Sequence, residues 1–493
     1  MASFSPCYCT HKYMIVILLL VFSMYSQKGK YCNAFQTFGF EMHHRFSDQV
    51  KSMMDGDNLP ETGTREYHAA VAYRDKFFRS RALAENDDDD SRLLTLSDGI
   101  ESYTRNLKIT SLGTLHYASV SLGTPSITYL VALDTGTNLL WLPCDVCANC
   151  APVATSLIGE KDLEVYSSKS SLTSKVVPCS SSLCEIQSGC SKPSSQCPYK
   201  VTYNNNSTSS GVLVKDVLHL KTFNHRSNDI DANITFGCGK TQTGLYLNGT
   251  ARCGLFGLGI GNTSVPSILS SQRLVADSFS ICFGIDGVGK IIFGDKGSSG
   301  QAETPFNIRK ESPSYNITIT QLSVGENISD LTDVTAIFYS DTEYTYLNDP
   351  AYTALCDSFD SQIRQKGLTS NPKEGFKYCY DVSPDIPNVT LIMKGGSQFN
   401  VYNPMIRTIT NGMISYCLGV VKATAENFIG NNFMTGHNIV FDRENMVMGW
   451  KPANNCTAEI VDPNTQPDIP QNPTFGNSGT PKNGLNSNKA PHI

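Results

Sequence analysis

The feature of this 493-residue sequence best suited to chemistry is a carboxylate set on a sharp turn between two apolar runs. It lies in Leu130-Val131-Ala132-Leu133-Asp134-Thr135-Gly136-Thr137-Asn138-Leu139-Leu140-Trp141-Leu142. Burying a carboxylate is costly unless donors surround it, and a glycine two residues on lets the backbone turn tightly and aim N–H groups at the acid. Asp-Thr-Gly alone is common in ordinary turns. The weight therefore falls on what the rest of the chain brings to Asp134. Three other patterns compete for attention. Cys144-x-x-Cys147-x-x-Cys150 invites a zinc reading, but no Cys/His quartet of zinc-finger spacing completes it. Gly254 to Gly259 has the look of a phosphate loop, but no Lys-Ser/Thr follows, and turn glycines between strands explain it better. Trp141 could serve as a ligand platform, yet its period-2 position beside Leu139 is that of a core residue.

The elements that must position Asp134 are short strands. After Leu115 the chain runs in short apolar or alternating stretches punctuated by Gly, Asn, Pro and Ser, among them Tyr117 to Leu122, Tyr129 to Leu133, Lys290 to Phe293 and Asn438 to Phe441. Helical patterns are few, the clearest being Pro350 to Arg364. With 40% hydrophobic and 17% charged residues the chain can bury a large core, and its length predicts two domains. A formal net charge of -6 offers no basic excess to neutralise phosphates, which excludes nucleic acid as a partner.

The N-terminus predicts export. His11 and Lys12 precede the apolar run Tyr13 to Tyr25, and Ala34 in Cys32-Asn33-Ala34 offers a cleavage point, so residues 1–34 read as a signal peptide. The run is shorter than the ~20 residues that span a bilayer, and no later segment could span, so no stable membrane anchor is expected. The chain has 17 cysteines, a number suited to an oxidising compartment. Three fall within the signal. The other fourteen make an even set that could pair completely. Asn205, Asn206, Asn233, Asn248, Asn262, Asn316, Asn327, Asn388 and Asn455 each begin a glycosylation sequon. Residues 35–108 are charged, with helical spacing from Tyr67 to Leu83 and the acidic run Asp87 to Asp90, and read as a removable propeptide. Residues 458–493, rich in Pro, Asn, Gly and Ser, read as a disordered tail.

With its flanks, the Asp134 segment resembles the first active-site loop of the pepsin-like aspartic peptidases, and most closely their plant nepenthesin-like subgroup. The resemblance continues through Tyr199-Lys200-Val201-Thr202-Tyr203 with Gly211-Val212-Leu213, similar to the flap hairpin with Tyr203 as flap tyrosine. It runs on through Phe236 to Gly239, Gly254 to Gly259, Ala336-Ile337-Phe338 with Thr345-Tyr346-Leu347, Phe428 to Gly430 and Val440 to Arg443, in family order over roughly residues 112 to 456. It implies an all-β, two-lobed fold with a pseudo-dyad and a central cleft. The N-terminal lobe would span 109–300 with the first loop and flap, the C-terminal lobe 301–457 with the second loop. It also implies a monomeric zymogen with no cofactor, peptide or protein as ligand in the cleft, and a destination in the apoplast, vacuole or endomembrane lumen. In this class two aspartates share a site where both cannot ionise easily; the ionised one takes a proton from water while the protonated one hydrogen-bonds the developing oxyanion.

Here the sequence departs from its class. Ungapped alignment matches the family's second Asp-Ser-Gly-Thr to Tyr339-Ser340-Asp341-Thr342, which puts tyrosine at the second catalytic position and aspartate at the turn glycine. A phenol, with reference pKa ~10, donates a hydrogen bond but cannot replace the shared carboxylate proton. Asp341 is the alternative second carboxylate, through a gapped alignment taking Asp341-Thr342-Glu343 as a shifted triplet. Two residues along an extended segment displaces a side chain by roughly 6 to 7 Å. Thr135, Gly136 and Ser340 remain suited to bracing the two loops. Two expectations compete: an acid endopeptidase, and a non-catalytic peptide- or protein-binding or inhibitor protein on the same fold.

Overall fold

The computed structural model describes residues 37–53, 59–79 and 114–456, apart from 146, 148–149, 151–164, 185–189, 204–206, 223–228, 245, 247–252, 308–313, 365–367, 372–374, 411, 425 and 454. The predicted signal peptide, the acidic run and the C-terminal tail lie outside the described residues.

Each of the two loops grows from the same arrangement of strands. In the first, Ile127–Asp134 leads into the loop and Trp141–Pro143 leaves it. Leu255–Gly257 lies parallel to the former, with Asp134 opposite Gly257, and antiparallel to the latter, with Trp141 opposite Leu255. In the second, Asn327–Phe338 leads in and Thr345–Leu347 leaves. Asn427–Ile429 is parallel to the former, with Phe338 opposite Ile429, and antiparallel to the latter, with Tyr346 opposite Phe428. The crossing backbones leave no room for a side chain at the glycine beside each loop. A Cβ on Gly257 would stand 2.4 Å from the carbonyl carbon of Asn138, and one on Gly430 would stand 2.1 Å from the Tyr344 carbonyl oxygen. The glycine run from Gly254 to Gly259 therefore belongs to strand crossing. The strand feeding the first loop is buried on both faces from Tyr129 onward, which is why Leu130 to Leu133 reads as a continuous apolar run rather than an alternating one.

Pro198–Tyr203 and Ser207–Thr222 form the hairpin expected for the flap, in register from Pro198 opposite Val212 to Tyr203 opposite Ser207. The hairpin tip and the Tyr203 side chain lie outside the described residues. Trp141 is fully buried and meets the Tyr246 ring edge-on at 5.3 Å, so it is a core residue. The helix expected from Pro350 forms as Ala351–Gln362, burying Ala351, Tyr352, Leu355, Cys356 and Phe359 at helical spacing.

One strand was not expected. Phe38–His44 inserts between Val288–Phe293 and His116–Leu122, pairing with the first from Phe38 opposite Phe293 to His43 opposite Val288. With the second it runs from Met42 opposite Ala118 to His44 opposite His116. It buries Phe38, Phe40 and Met42 and sets Glu41 opposite Lys290. A short helix, Asp48–Met53, follows, and then a long one, Arg65–Arg79, where helical spacing was predicted.

Twelve cysteines form six disulfides, Cys144–Cys238, Cys147–Cys150, Cys179–Cys190, Cys184–Cys197, Cys282–Cys456 and Cys379–Cys417. Cys253 and Cys356 are buried thiols outside these six. The Cys144, Cys147 and Cys150 sulfurs are thus all committed to disulfides, and complete pairing of the fourteen does not occur. No helix among the described residues is long and apolar enough to cross a membrane.

Candidate active site at the two loops

Asp134 ends its strand fully buried, and the donors its burial requires are supplied by its own turn. Oδ1 accepts from the Gly136 N–H at 2.8 Å and Oδ2 from the Thr137 hydroxyl at 3.1 Å. From the other loop, Ser340 faces Thr135. Their hydroxyls are 3.4 Å apart, and the Ser340 N–H points to Thr135 Oγ1 at 3.5 Å. The residues one step earlier, Asp134 and Tyr339, are brought together by this pairing. A Cβ on Gly136 would stand 2.9 Å from Cε2 of Tyr339 and 3.2 Å from Oδ1 of Asp134, so the Tyr339 ring occupies the space over the first turn. Tyr339 is 2% exposed and its ring meets Phe428 at 5.8 Å.

Asp341 is also fully buried, but its partners differ. Its Oδ1 accepts from Arg74 Nη2 at 2.5 Å and from the Leu115 N–H at 3.0 Å, while its main-chain carbonyl accepts from Arg74 Nη1 at 2.7 Å. Arg74 lies on the helix Arg65–Arg79 and has no exposed side-chain surface. Burial opposes its charge, but Asp341 and Asp75 outweigh that and raise its pKa above the ordinary arginine value. Asp75, next on the helix and equally buried, accepts from Arg74 Nη1 at 3.0 Å through Oδ1. Its Oδ2 accepts from the N–H groups of Glu343 at 2.8 Å and Tyr344 at 3.1 Å, and from the Tyr346 hydroxyl at 3.1 Å. An Arg-Asp dipeptide on one helix thus binds both the carboxylate and the backbone of the second loop. These charge-assisted bonds are the strong class of hydrogen bond, and removing either partner leaves a buried charge without its counterion.

Three histidines ring Glu343. His44 Nε2 lies 3.4 Å from Glu343 Oε2, a charge approach rather than an aligned hydrogen bond. His116 sits under Ser340, its Nδ1 3.2 Å from the Ser340 carbonyl and its Nε2 3.4 Å from Asn431 Nδ2. Neutral imidazole satisfies both contacts, with Nδ1–H donating to the carbonyl and Nε2 accepting from the amide. Burial, reinforced by nearby His44, pushes the His116 pKa down to about 3. His68 bridges Tyr344 Oη at 2.7 Å and the Arg407 carbonyl at 2.8 Å, and burial lowers its pKa as well. Burial pushes Glu343 up, but the approach of His44 opposes it, and the carboxyl stays below its usual range.

Arg74, Asp75, His68 and His116 were not singled out from the sequence. The available signal was the pair of acids, Asp341 and Glu343, in a loop that the family pattern fills with small residues. Acids in such a place call for cations.

Two lobes with matching loop crossings, a hairpin of flap type and an aspartate on a donor-lined turn define a protein of the pepsin-like class. The comparisons agree. The family described as "Xylanase inhibitor N-terminal" matches residues 116–295, and "Xylanase inhibitor C-terminal" matches 314–452. "Aspartyl protease family protein 1" of Arabidopsis thaliana is 48% identical over 440 residues, covering 87% of this chain and 83% of that protein. "Aspartic proteinase nepenthesin-2" of Nepenthes gracilis is 24% identical over 356 residues, covering 68% of this chain and 76% of its own. Among solved structures, basic 7S globulin from soybean superposes with TM-score 0.52 at 22% identity, covering 70% of this chain and 93% of that one, a likeness of fold. The chain belongs to the pepsin-like aspartic peptidase family.

Proposed function

We propose that this protein is a secreted, monomeric member of the aspartic endopeptidase family whose own catalysis is weak or lost, and whose cleft serves peptide or protein recognition. The observation that carries this is the Tyr339 ring lying against Gly136, in the turn that holds Asp134, one residue before the Thr135–Ser340 contact that pairs the loops. That pairing supports the reading of Tyr339 as the counterpart of Asp134. Asp134 keeps the surroundings of a catalytic carboxylate, with two donors from its own turn. A water placed beside it would meet one acid instead of two. A phenol can donate to an oxyanion but cannot hold the second carboxylate's proton in a shared dyad, and loss of one general acid–base partner costs about 10²–10⁴-fold in rate. Asp341 does not make up the loss in this reading, because its carboxylate is directed to Arg74 and Leu115. The signal-like N-terminus and the sequons support a glycosylated protein of the secretory pathway, delivered to the apoplast or to a vacuolar or endomembrane lumen.

The test is hydrolysis of denatured protein at acidic pH, with and without pepstatin, for the full chain and for the double substitution Tyr339→Asp with Asp341→Gly. The native chain should give little or no pepstatin-sensitive cleavage and the double variant a gain. Pepstatin-sensitive cleavage by the native chain equal to that of the double variant would defeat the proposal.

A further inference from the structure

In the family pattern the residue at position 341 is a glycine, which offers its loop a carbonyl and no side chain. Here it is an aspartate whose carboxylate and carbonyl together form a fork that receives two nitrogens of the Arg74 guanidinium. Planar two-point recognition of this kind is what arginine supplies and lysine does not. The pocket has no solvent-exposed side of its own: Arg74, Asp75 and Asp341 are all fully buried. The rest of the N-terminal segment is attached just as completely. Its strand lies between two others instead of along an edge. Ile409 donates its N–H to the Gly63 carbonyl at 2.8 Å, and His68 bridges Tyr344 and Arg407.

We infer that Asp341 is a receptor for Arg74, and that residues 37–53 and 59–79 are a resident part of the folded protein that stays across the second loop after the chain is cut between residues 79 and 114. The change that removes the loop glycine thereby supplies the anchor for the chain's own N-terminal segment. This holds whether or not the cleft retains hydrolysis, since it depends on the Arg74–Asp341 pocket alone.

The test uses the full chain. Ser91→Lys places Asp87 to Asp90 directly before a lysine, giving a site for enteropeptidase. After cutting, size-exclusion chromatography at pH 7 should show the N-terminal fragment co-eluting with the remainder in equal amounts. Adding Arg74→Met to the cut protein should speed dissociation of the fragment by at least about a hundredfold, because it leaves Asp341 and Asp75 buried without their cation. Where Arg74→Met does not fold, as judged by near-ultraviolet circular dichroism of the uncut chain, Arg74→Lys keeps the charge, loses the fork and should give about a tenfold acceleration. A fragment that elutes alone from the cut parent chain overturns residence. Dissociation within threefold of the parent for the folded arginine variant overturns the receptor role of Asp341.

Discussion

Acid should destabilise this protein through His116, a residue of the strand beneath the second loop. The groups facing it are His44 from the N-terminal strand, Glu343 and the Ser340 carbonyl from the loop, Arg74 from the long helix and Asn431. In the folded protein its pKa is pushed down to about 3, from an ordinary value of 6.5. Because the folded value lies below the unfolded one, the neutral form stabilises the fold fully above pH 6.5, and this contribution is lost as pH falls toward 3. At about 1.4 kcal/mol per unit, roughly 3 kcal/mol is gone by pH 4. The perturbation that isolates the effect is His116→Gln, whose amide can donate to the Ser340 carbonyl and carries no titratable proton. Urea unfolding of parent and variant at pH 7 and pH 4 measures it. The parent should lose about 3 kcal/mol more than the variant over that interval. Equal losses would refute the assignment of His116 as a buried neutral imidazole, and with it the donor–acceptor arrangement between Ser340 and Asn431.

Asp75→Ala should cost at least about 4 kcal/mol in urea unfolding at pH 7, since it strands two backbone N–H groups, a tyrosine hydroxyl and part of the Arg74 charge; a loss under 1 kcal/mol would show that water replaces the carboxylate. Among the sequons, Asn316 is 7% exposed and its amide oxygen faces Asn307, whereas Asn233, Asn262, Asn327, Asn388 and Asn455 are exposed. Peptide mapping of protein made in a secretory host should find Asn316 unmodified. Occupancy at Asn316 would mean that the glycan is added before its strand closes.

Most of the body was legible because its strands carry local signals. The run before Asp134, the glycines at the strand crossings and the Phe338-Tyr339-Ser340 register each follow from burial on both faces, backbone approach or alignment with a known loop. The N-terminal strand was not legible. Phe38 to His44 holds two histidines and a glutamate, and its partners stand far along the chain, so nothing local distinguishes it from its charged surroundings. The ion pair at Asp341 was half legible: the intruding acid was visible, but its cation lies 267 positions away on a helix with no sequence link to the loop. In the sequence, the aspartate of the second loop and the charged N-terminal segment have no visible link. Geometry makes them one feature.

The position of the N-terminal strand has a consequence for how the chain is made. Phe38–His44 leaves the ribosome early, yet Val288–Phe293, the strand along one of its edges, begins opposite His43 only 245 positions later. At typical synthesis rates that interval is roughly 10–50 s, during which an apolar strand waits with one of its edges unpaired. Until Val288–Phe293 arrives, that edge is open to any other extended chain in the same compartment. The yield of native protein should therefore depend on what shields residues 38–44 during that wait.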